Sequence, residues 1–136
     1  MEHVDFFKLQ AKNLFKDFKT QKKNEDGIYT YSPRFFKSLD RLIVEFDIDE
    51  NEFTLMSAQH LVAELAGFRK WSDILHASKE RLELGKLLLE HYDESTEFGG
   101  PILEEWKMYE HVNLEDWNDA SKLELFKVVF LNSAII

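Results

Sequence analysis

Residues 55–75 have the sequence LMSAQHLVAELAGFRKWSDIL, and this stretch decides the fold. Its first half carries apolar residues at helical spacing, and Gly67 is suited to the left-handed conformation that ends a helix. Phe68 follows directly, and Trp71 stands at the head of the next helical segment, where the two rings can fill the wedge between helices. The stretch predicts a helix-turn-helix-like corner over residues 57–78, which we interpret as a structural bend.

Helical patterning continues on both sides of this corner. Apolar residues recur at spacings of three and four, and short polar or glycine-containing breaks separate the runs. These breaks predict helices over residues 4–23, 33–46, 54–66, 72–92 and 101–112, and from residue 114 onward. Residues 28–31 form an extended piece without an evident β partner, and the apolar run 125–131 is therefore assigned to helix despite its strand-like composition. The prediction is an all-α fold, a single compact domain of five to six helices over residues 1–136.

The composition supports one packed domain and excludes several classes of function. The 136 residues are 44% hydrophobic and 14% aromatic, which is enough apolar material for one core. The chain has no cysteine, which excludes disulfides, thiolate zinc sites and a cysteine nucleophile, and favours a reducing, cytoplasmic location. No signal-peptide segment or long apolar run is found, so we expect no contact with a membrane.

Charge is distributed unevenly along the chain. The net charge is −9, yet the first predicted helix carries a row of lysines that forms a candidate basic face. Its members are Lys8, Lys12, Lys16, Lys19 and Lys23. Residues 93–119 are strongly acidic by contrast. Because nucleic-acid binding needs positive charge across the contact face, only this helix could supply it, and we favour contact between the basic helix and the acidic segment.

Three segments of the chain resemble a known family. They are residues 9–15 (LQAKNLF), 57–63 (SAQHLVA) and 67–75 (GFRKWSDIL). Together they resemble the glyoxalase-related domain, a small bacterial helical domain in which an N-terminal helix is paired with a corner of this type. The resemblance covers about residues 5–77 and implies a helical fold, and the name of the family does not imply glyoxalase activity for a short member. The acidic stretch 45–53 and the C-terminal extension 78–136 depart from the family pattern.

The sequence offers no catalytic or cofactor site. His60 with Glu64, and His76 with Glu80, have the i, i+4 spacing of ordinary surface pairs, and they could bind a metal only if the two pairs converged. No glycine-rich phosphate-binding loop is present. We therefore expect a protein that is not an enzyme and that holds no cofactor and no metal.

The C-terminal segment is the candidate interaction surface. Residues 123–136 include nine large apolar residues among fourteen, which is too many for a helix that packs on one side only. The residues chosen are Phe126, Val129, Phe130, Ile135 and Ile136. We expect them to meet a second protein, for which another copy of the chain, with its basic first helix, is the charge-complementary candidate.

The function that these patterns favour is protein–protein interaction, in an accessory or regulatory role. The alternative is a nucleic-acid-binding regulator that uses the lysine-rich first helix and the corner at 57–78. A third, weaker hypothesis is a small-molecule site in an aromatic pocket around Phe68, Trp71 and Trp106.

Overall fold

The computed structural model describes residues 3–96 and 99–131, and this part of the chain contains seven helices and one two-stranded sheet. The helices are α1 (His3–Phe18), α2 (Leu39–Glu45), α3 (Leu55–Leu65), α4 (Trp71–Ile74), α5 (Lys79–Glu90), α6 (Ile102–Asn113) and α7 (Asp119–Val129). The strands are β1 (Lys22–Lys23) and β2 (Tyr29–Thr30). The predicted all-α class is confirmed. The described residues hold seven helices rather than five or six, because the predicted helix over 72–92 is two helices, α4 and α5.

The first of two core clusters, the N-terminal cluster, is built around the inner face of α1. Phe7, Ala11 and Leu14 are buried on one stripe of α1, which packs against α3 and α5. The other buried members are Phe18, Phe36, Leu39, Leu42, Ala58, Leu61, Val62, Ala63, Leu65, Ala66, Phe68, Ile74, Leu82 and Leu89. This cluster therefore draws side chains from α1 to α5.

The second core cluster, the C-terminal cluster, joins α5 to α6 and α7. Its buried members are Leu84, Leu88, Ile102, Leu103, Trp106, Leu114, Leu123 and Phe126. Helix α5 also gives Leu82 and Leu89 to the N-terminal cluster, so it is buried on two faces. This shared helix connects the two halves of the core.

Helix α1 ends earlier than the predicted residue 23, because a β-hairpin follows it. Strands β1 and β2 pair in antiparallel register. The turn between them is closed by Asn24, whose Oδ1 accepts hydrogen bonds from the N–H groups of Asp26 and Ile28 at 2.9 Å each. The expectation that residues 28–31 have no β partner was therefore wrong.

A carboxylate from α1 accompanies the late start of the second helix. The sequence predicts that this helix begins at Ser32–Pro33, but α2 begins at Leu39. Asp17 is buried and accepts hydrogen bonds from the backbone N–H groups of residues 34–36, at N···O distances between 2.6 and 3.3 Å. The carboxylate of Asp17, on α1, is the acceptor for these N–H groups. It holds the segment before α2 in a non-helical conformation.

Hydroxyl side chains begin two of the helices. The sequence allows either Thr54 or Ser57 to cap α3, and the cap is Thr54, which forms a reciprocal capping box with Ser57. Helix α5 begins at Lys79, and its N-cap is Ser78 rather than the predicted Ser72. The Ser78 hydroxyl accepts a hydrogen bond from the backbone N–H of Arg81 at 3.0 Å. The Ser78 cap is the local reason why the predicted helix over 72–92 is divided.

Candidate interaction surface

A groove of about 470 Å³ lies along the outer face of α7 and the turn before it. It is lined by Trp117, Ala120, Ser121, Glu124, Leu125 and Val128, and we name it the α7 groove. Trp117 is 45% exposed and Val128 is 38% exposed. Large apolar side chains that stay exposed around one groove are typical of a protein-binding surface.

The turn before α7 places Trp117 at one end of the groove. The backbone N–H of Trp117 donates a hydrogen bond to the carbonyl oxygen of Leu114 at 2.9 Å. Asn118 then caps α7, since its Oδ1 accepts a hydrogen bond from the N–H of Ser121 at 2.8 Å. The sequence predicts that the last helix begins at Leu114 with Asn113 as its cap, so this start was placed too early.

The inner face of α7 belongs to the core, which corrects part of the predicted surface. Phe126 is fully buried, with its ring edge-on to Trp106 at a centroid distance of 5.2 Å. Phe130 is half-buried and stacks on Phe126. Of the five predicted surface residues, Phe126 cannot reach a partner, whereas Val129 is exposed. The other two predicted surface residues, Ile135 and Ile136, lie outside the part of the chain that the structure describes.

The α7 groove lies in the acidic part of the chain. Glu124 lines it, and the exposed residues Glu115 and Asp116 directly precede Trp117. Glu124 also forms a surface ion pair with Lys127 at 3.8 Å, a type of contact that contributes at most about 1 kcal/mol. An incoming cation can therefore replace this pair at small cost.

The predicted basic face is exposed and extends past the end of α1. Its lysines are Lys8, Lys12, Lys16, Lys19 and Lys23, all exposed to solvent. Lys23 lies on β1 rather than on the helix, with its ammonium 5.4 Å from the ring centroid of Tyr29. On α1 itself, the apolar side chain of Leu9 is 40% exposed beside this row. The outer face of α1 therefore combines positive charge with one apolar side chain.

The corner around Gly67 is built for packing. Gly67 has a φ of +84°, and the N–H of Phe68 donates to the carbonyl oxygen of Ala63 at 2.9 Å, which closes the end of α3. Phe68 is buried and Trp71 is half-buried against the N-terminal cluster. Helix α4 has only four residues, which is shorter than a helix that contacts bases along the major groove. The corner therefore supplies no recognition helix at α4.

Arg81, which the sequence analysis did not single out, joins the corner to the C-terminal half. Its guanidinium lies 3.9 Å from the ring centroid of Phe68, and Nη2 donates to the carbonyl oxygen of Ala66 at 3.1 Å. Burial lowers the pKa of Arg81, and the charges of Glu110 and Asp119 oppose that effect. The guanidinium of Arg81 therefore makes its contacts inside the fold.

The two histidine–carboxylate pairs do not form a joint site. His60 Nε2 lies 2.5 Å from Glu64 Oε1 on the exposed side of α3. His76 is exposed in the segment between α4 and α5. Within residues 3–96 and 99–131, no three His, Asp or Glu side chains come close enough together to hold a metal ion.

The hypothesis of one aromatic pocket around Phe68, Trp71 and Trp106 was wrong. Phe68 and Trp71 pack in the N-terminal cluster, whereas Trp106 is buried in the C-terminal cluster. Trp106 meets the rings of Phe126 and Phe130 there. The three side chains therefore serve two separate parts of the core.

Comparison with known proteins finds no family model, no curated protein and no solved structure that matches the chain. Among the described residues, no helix has both the length and the apolar character needed to cross a membrane.

Trp117 is the main residue of this surface that sequence analysis missed. A signal for it exists in the sequence, because Trp117 stands in the polar segment Leu114–Asp119 with acids on both sides. A large aromatic residue among charged neighbours lacks the helical apolar spacing of a core residue and is a candidate for binding.

Proposed function

We propose that this chain is a protein-binding module without catalytic activity, and that the α7 groove receives a basic amphipathic helix of another protein molecule. The observation that carries the proposal is the exposure of Trp117 and Val128 in one groove whose edge bears Glu124. Helices dock into such grooves through a few apolar anchors, and tryptophan often dominates the binding energy of an interface.

The acidic surroundings of the groove support a basic occupant. Each copy of the chain also offers a basic helix face, since Leu9 on α1 is exposed between Lys8 and Lys12, while the larger apolar face of α1 is buried in its own core. Helix α1 of a second copy is therefore the occupant to which we commit. A dimer in which each α1 lies in the partner's α7 groove would use the same two surfaces twice, as a two-fold symmetric dimer requires.

A synthetic peptide of residues 3–19 tests the groove directly. The peptide has no tryptophan, so its titration into the full chain can be followed by the tryptophan fluorescence of the chain, to which Trp117 contributes from within the groove. We expect saturable binding that Val128→Asp abolishes. Val44→Asp is the matched control, because Val44 is 82% exposed on α2, outside the groove, and its substitution should leave binding unchanged.

Charge supplies the second arm of this test. A peptide with Lys8→Glu, Lys12→Glu and Lys16→Glu should not bind, because it would bring negative charge to Glu124 and Glu115. Equal binding of both peptides, or equal effects of Val128→Asp and Val44→Asp, would refute the proposal.

Self-association is measured by light scattering over a range of chain concentrations. The native chain should gain mass as its concentration rises, and Val128→Asp should prevent that gain while Val44→Asp does not. A native chain that stays monomeric while the peptide binds would remove the second copy as occupant and leave a different basic helix in its place.

The alternative proposal, nucleic-acid binding through α1, rests on the exposed lysine row. It predicts that generic duplex DNA binds at low salt, that binding weakens steeply as salt rises, and that Lys12→Glu reduces it. The resemblance to the glyoxalase-related domain and the cytoplasmic location also stay predictions.

A further inference from the structure

A second cavity, separate from the α7 groove, lies between the end of α1 and the loop that connects α2 to α3. It has a volume of about 330 Å³ and is lined by Phe15, Phe18, Lys19, Gln21, Glu50, Asn51 and Phe53. We name it the Phe53 pocket. Its volume is at the lower end of the range for small-molecule sites, which combine apolar walls with a few placed polar groups.

One wall of the Phe53 pocket is aromatic. The ring of Phe53 stacks on that of Phe18, with centroids 3.6 Å apart and planes 15° from parallel. Phe15 adds a third ring, over which the Lys19 ammonium lies at 4.5 Å from the centroid. Flat aromatic side chains of this kind offer ring faces and edges to a planar ligand.

The polar residues that line the pocket include Gln21 and Glu50, which are held in place by hydrogen bonds. Gln21 Nε2 donates to the hydroxyl oxygen of Tyr31 at 2.8 Å and to the carbonyl oxygen of Glu50 at 2.9 Å. The Tyr31 hydroxyl in turn donates to Glu50 Oε1 at 2.9 Å. These bonds tie the loop to the end of α1 and to the hairpin. The pocket is therefore formed before any ligand arrives, which lowers the entropy cost of binding.

The pocket presents one positive and one negative group. Lys19 and Glu50 line the same cavity, and neither forms an ion pair within the part of the chain that the structure describes. A complementary ligand carries a carboxylate for Lys19 and a protonated amine for Glu50, together with a ring for the aromatic wall. We propose that the Phe53 pocket binds a free aromatic α-amino acid, with its ring against Phe15 and Phe53 and its charged groups at Lys19 and Glu50.

Four related compounds separate the contributions of ring and charge. L-tryptophan carries the ring and both charges, indole-3-propionate only the carboxylate, tryptamine only the amine, and indole neither. Each is titrated into the full ¹⁵N-labelled chain, and amide chemical shifts report both affinity and location. We expect L-tryptophan to bind at least about tenfold more tightly than indole, with shifts at residues 19–21 and 50–53.

Substitutions in the pocket then test which side chain binds each charged group of the ligand. Lys19→Met should bring the affinity for L-tryptophan down to that for tryptamine, and Glu50→Gln should bring it down to that for indole-3-propionate. Lys16→Met is the matched control, because Lys16 is exposed in the last turn of α1, close to Lys19 in sequence, and does not line the pocket, so binding should be unchanged. Melting temperatures of all variants show whether the fold is retained.

Three results would overturn the proposal. They are the absence of saturable binding of L-tryptophan, chemical-shift changes confined to residues outside the pocket, and equal affinity of L-tryptophan for folded Lys19→Met, Glu50→Gln and the native chain. None of these results bears on the α7 groove, since the two sites share no residue.

Discussion

Asp17 is a buried acid whose two carboxylate oxygens accept the N–H groups of residues 34–36. Hydrogen bonds to a charged acceptor are stronger than those between neutral groups, and a buried donor that loses its partner is destabilising. This one side chain therefore fixes the path of the chain between the hairpin and α2.

Asp17→Ala should lower the free energy of unfolding by about 3 kcal/mol, because it leaves three N–H groups without their acceptor. Asp26→Ala, at an exposed position of the hairpin turn, is the control and should change stability by no more than about 0.5 kcal/mol. Urea unfolding measures both. Similar losses in the two variants would show that the Asp17 contacts contribute little.

Tyr31 makes stability depend on pH in the alkaline range. The pKa of Tyr31 is raised from 10.0 to about 12, chiefly because the side chain is partly buried. The hydrogen bond from Gln21 opposes this rise, whereas the hydrogen bond to Glu50 and the charge of Glu50 contribute to it. The fold thus favours the neutral phenol. The resulting stabilisation is complete below pH 10 and is lost as the pH rises from 10 to about 12.

A Tyr31→Phe variant should lack this component of the alkaline loss. The check is urea unfolding at a series of pH values, beside a titration of tyrosinate absorbance in which the last tyrosine to ionise disappears on substitution. Tyr109→Phe serves as the control and should keep both signals. A native chain whose tyrosines all ionise together near pH 10 would contradict the assignment.

At the scale of elements, the corner between α3 and α4 depends on a position that has no room for a side chain. A Cβ at Gly67 would lie 3.0 Å from Arg81 Nη2 and 3.1 Å from Leu88 Cδ1, in addition to the unfavourable φ of +84°. Gly27 has a similar φ of +78°, but a Cβ there would make only an ordinary contact, with Lys23 at 3.6 Å. A comparison of substitutions at Gly27 and Gly67 therefore separates the cost of backbone strain from the cost of steric crowding.

Gly27→Ala should cost about 1–2 kcal/mol, which is the strain of a left-handed residue. Gly67→Ala should cost about 1–3 kcal/mol more, because the added methyl group also displaces packed side chains. Urea unfolding of both variants gives the difference. Equal costs would mean that Arg81 and Leu88 move aside freely.

Local signals in the sequence predict the helices but not all of their ends. Thr54 and Gly67 bound α3 as expected, since a cap and a left-handed glycine act within a few residues of the helix. The start at Ser32–Pro33 is wrong because a helix beginning there would bond the N–H of Phe36 to the carbonyl oxygen of Ser32, whereas this N–H donates to Asp17, which is distant in sequence. Likewise, Lys22–Lys23 continue the helical spacing of α1, yet they pair with β2.

The residues predicted for the interaction surface divide between the two faces of α7, since Phe126 is buried and Val129 is exposed. In an apolar run such as residues 125–131, the sequence does not indicate which face of the helix is buried, because nearly every position is hydrophobic. The ring of Trp106, on another helix, places Phe126 inside and leaves Val128 and Val129 outside. That choice depends on tertiary packing, which no local pattern contains.

At the scale of the whole molecule, the two core clusters share α5, so we expect them to unfold together. Variants that keep only Trp71 or only Trp106, with phenylalanine at the other tryptophan positions, report on the N-terminal and the C-terminal cluster separately. In each variant the urea midpoint from tryptophan fluorescence should coincide with that from far-UV circular dichroism, because loss of one cluster removes support from α5 in the other.

Phe126→Ala, introduced into both single-tryptophan variants, makes this prediction strict. The substitution empties a buried aromatic site and should cost about 3–5 kcal/mol. Although Phe126 lies in the C-terminal cluster, the Trp71 midpoint should fall as far as the Trp106 midpoint. A shift in the Trp106 signal alone would show that the two clusters unfold independently.

The position of α5 also determines when the nascent chain can fold on the ribosome. When α1 to α4 have just emerged from the ribosome, two members of the cluster that they form, Leu82 and Leu89, are still inside the exit tunnel. Phe7 and Phe68 then lack the helix that covers them, since a Cβ at Gly85 of α5 would lie within 3.0–3.2 Å of both rings. α5 in turn needs α6 and α7 to cover its other face. We therefore expect folding during translation to wait until α7 has left the ribosome, and the rings of Phe7 and Phe68 to stay uncovered until α5 has followed them.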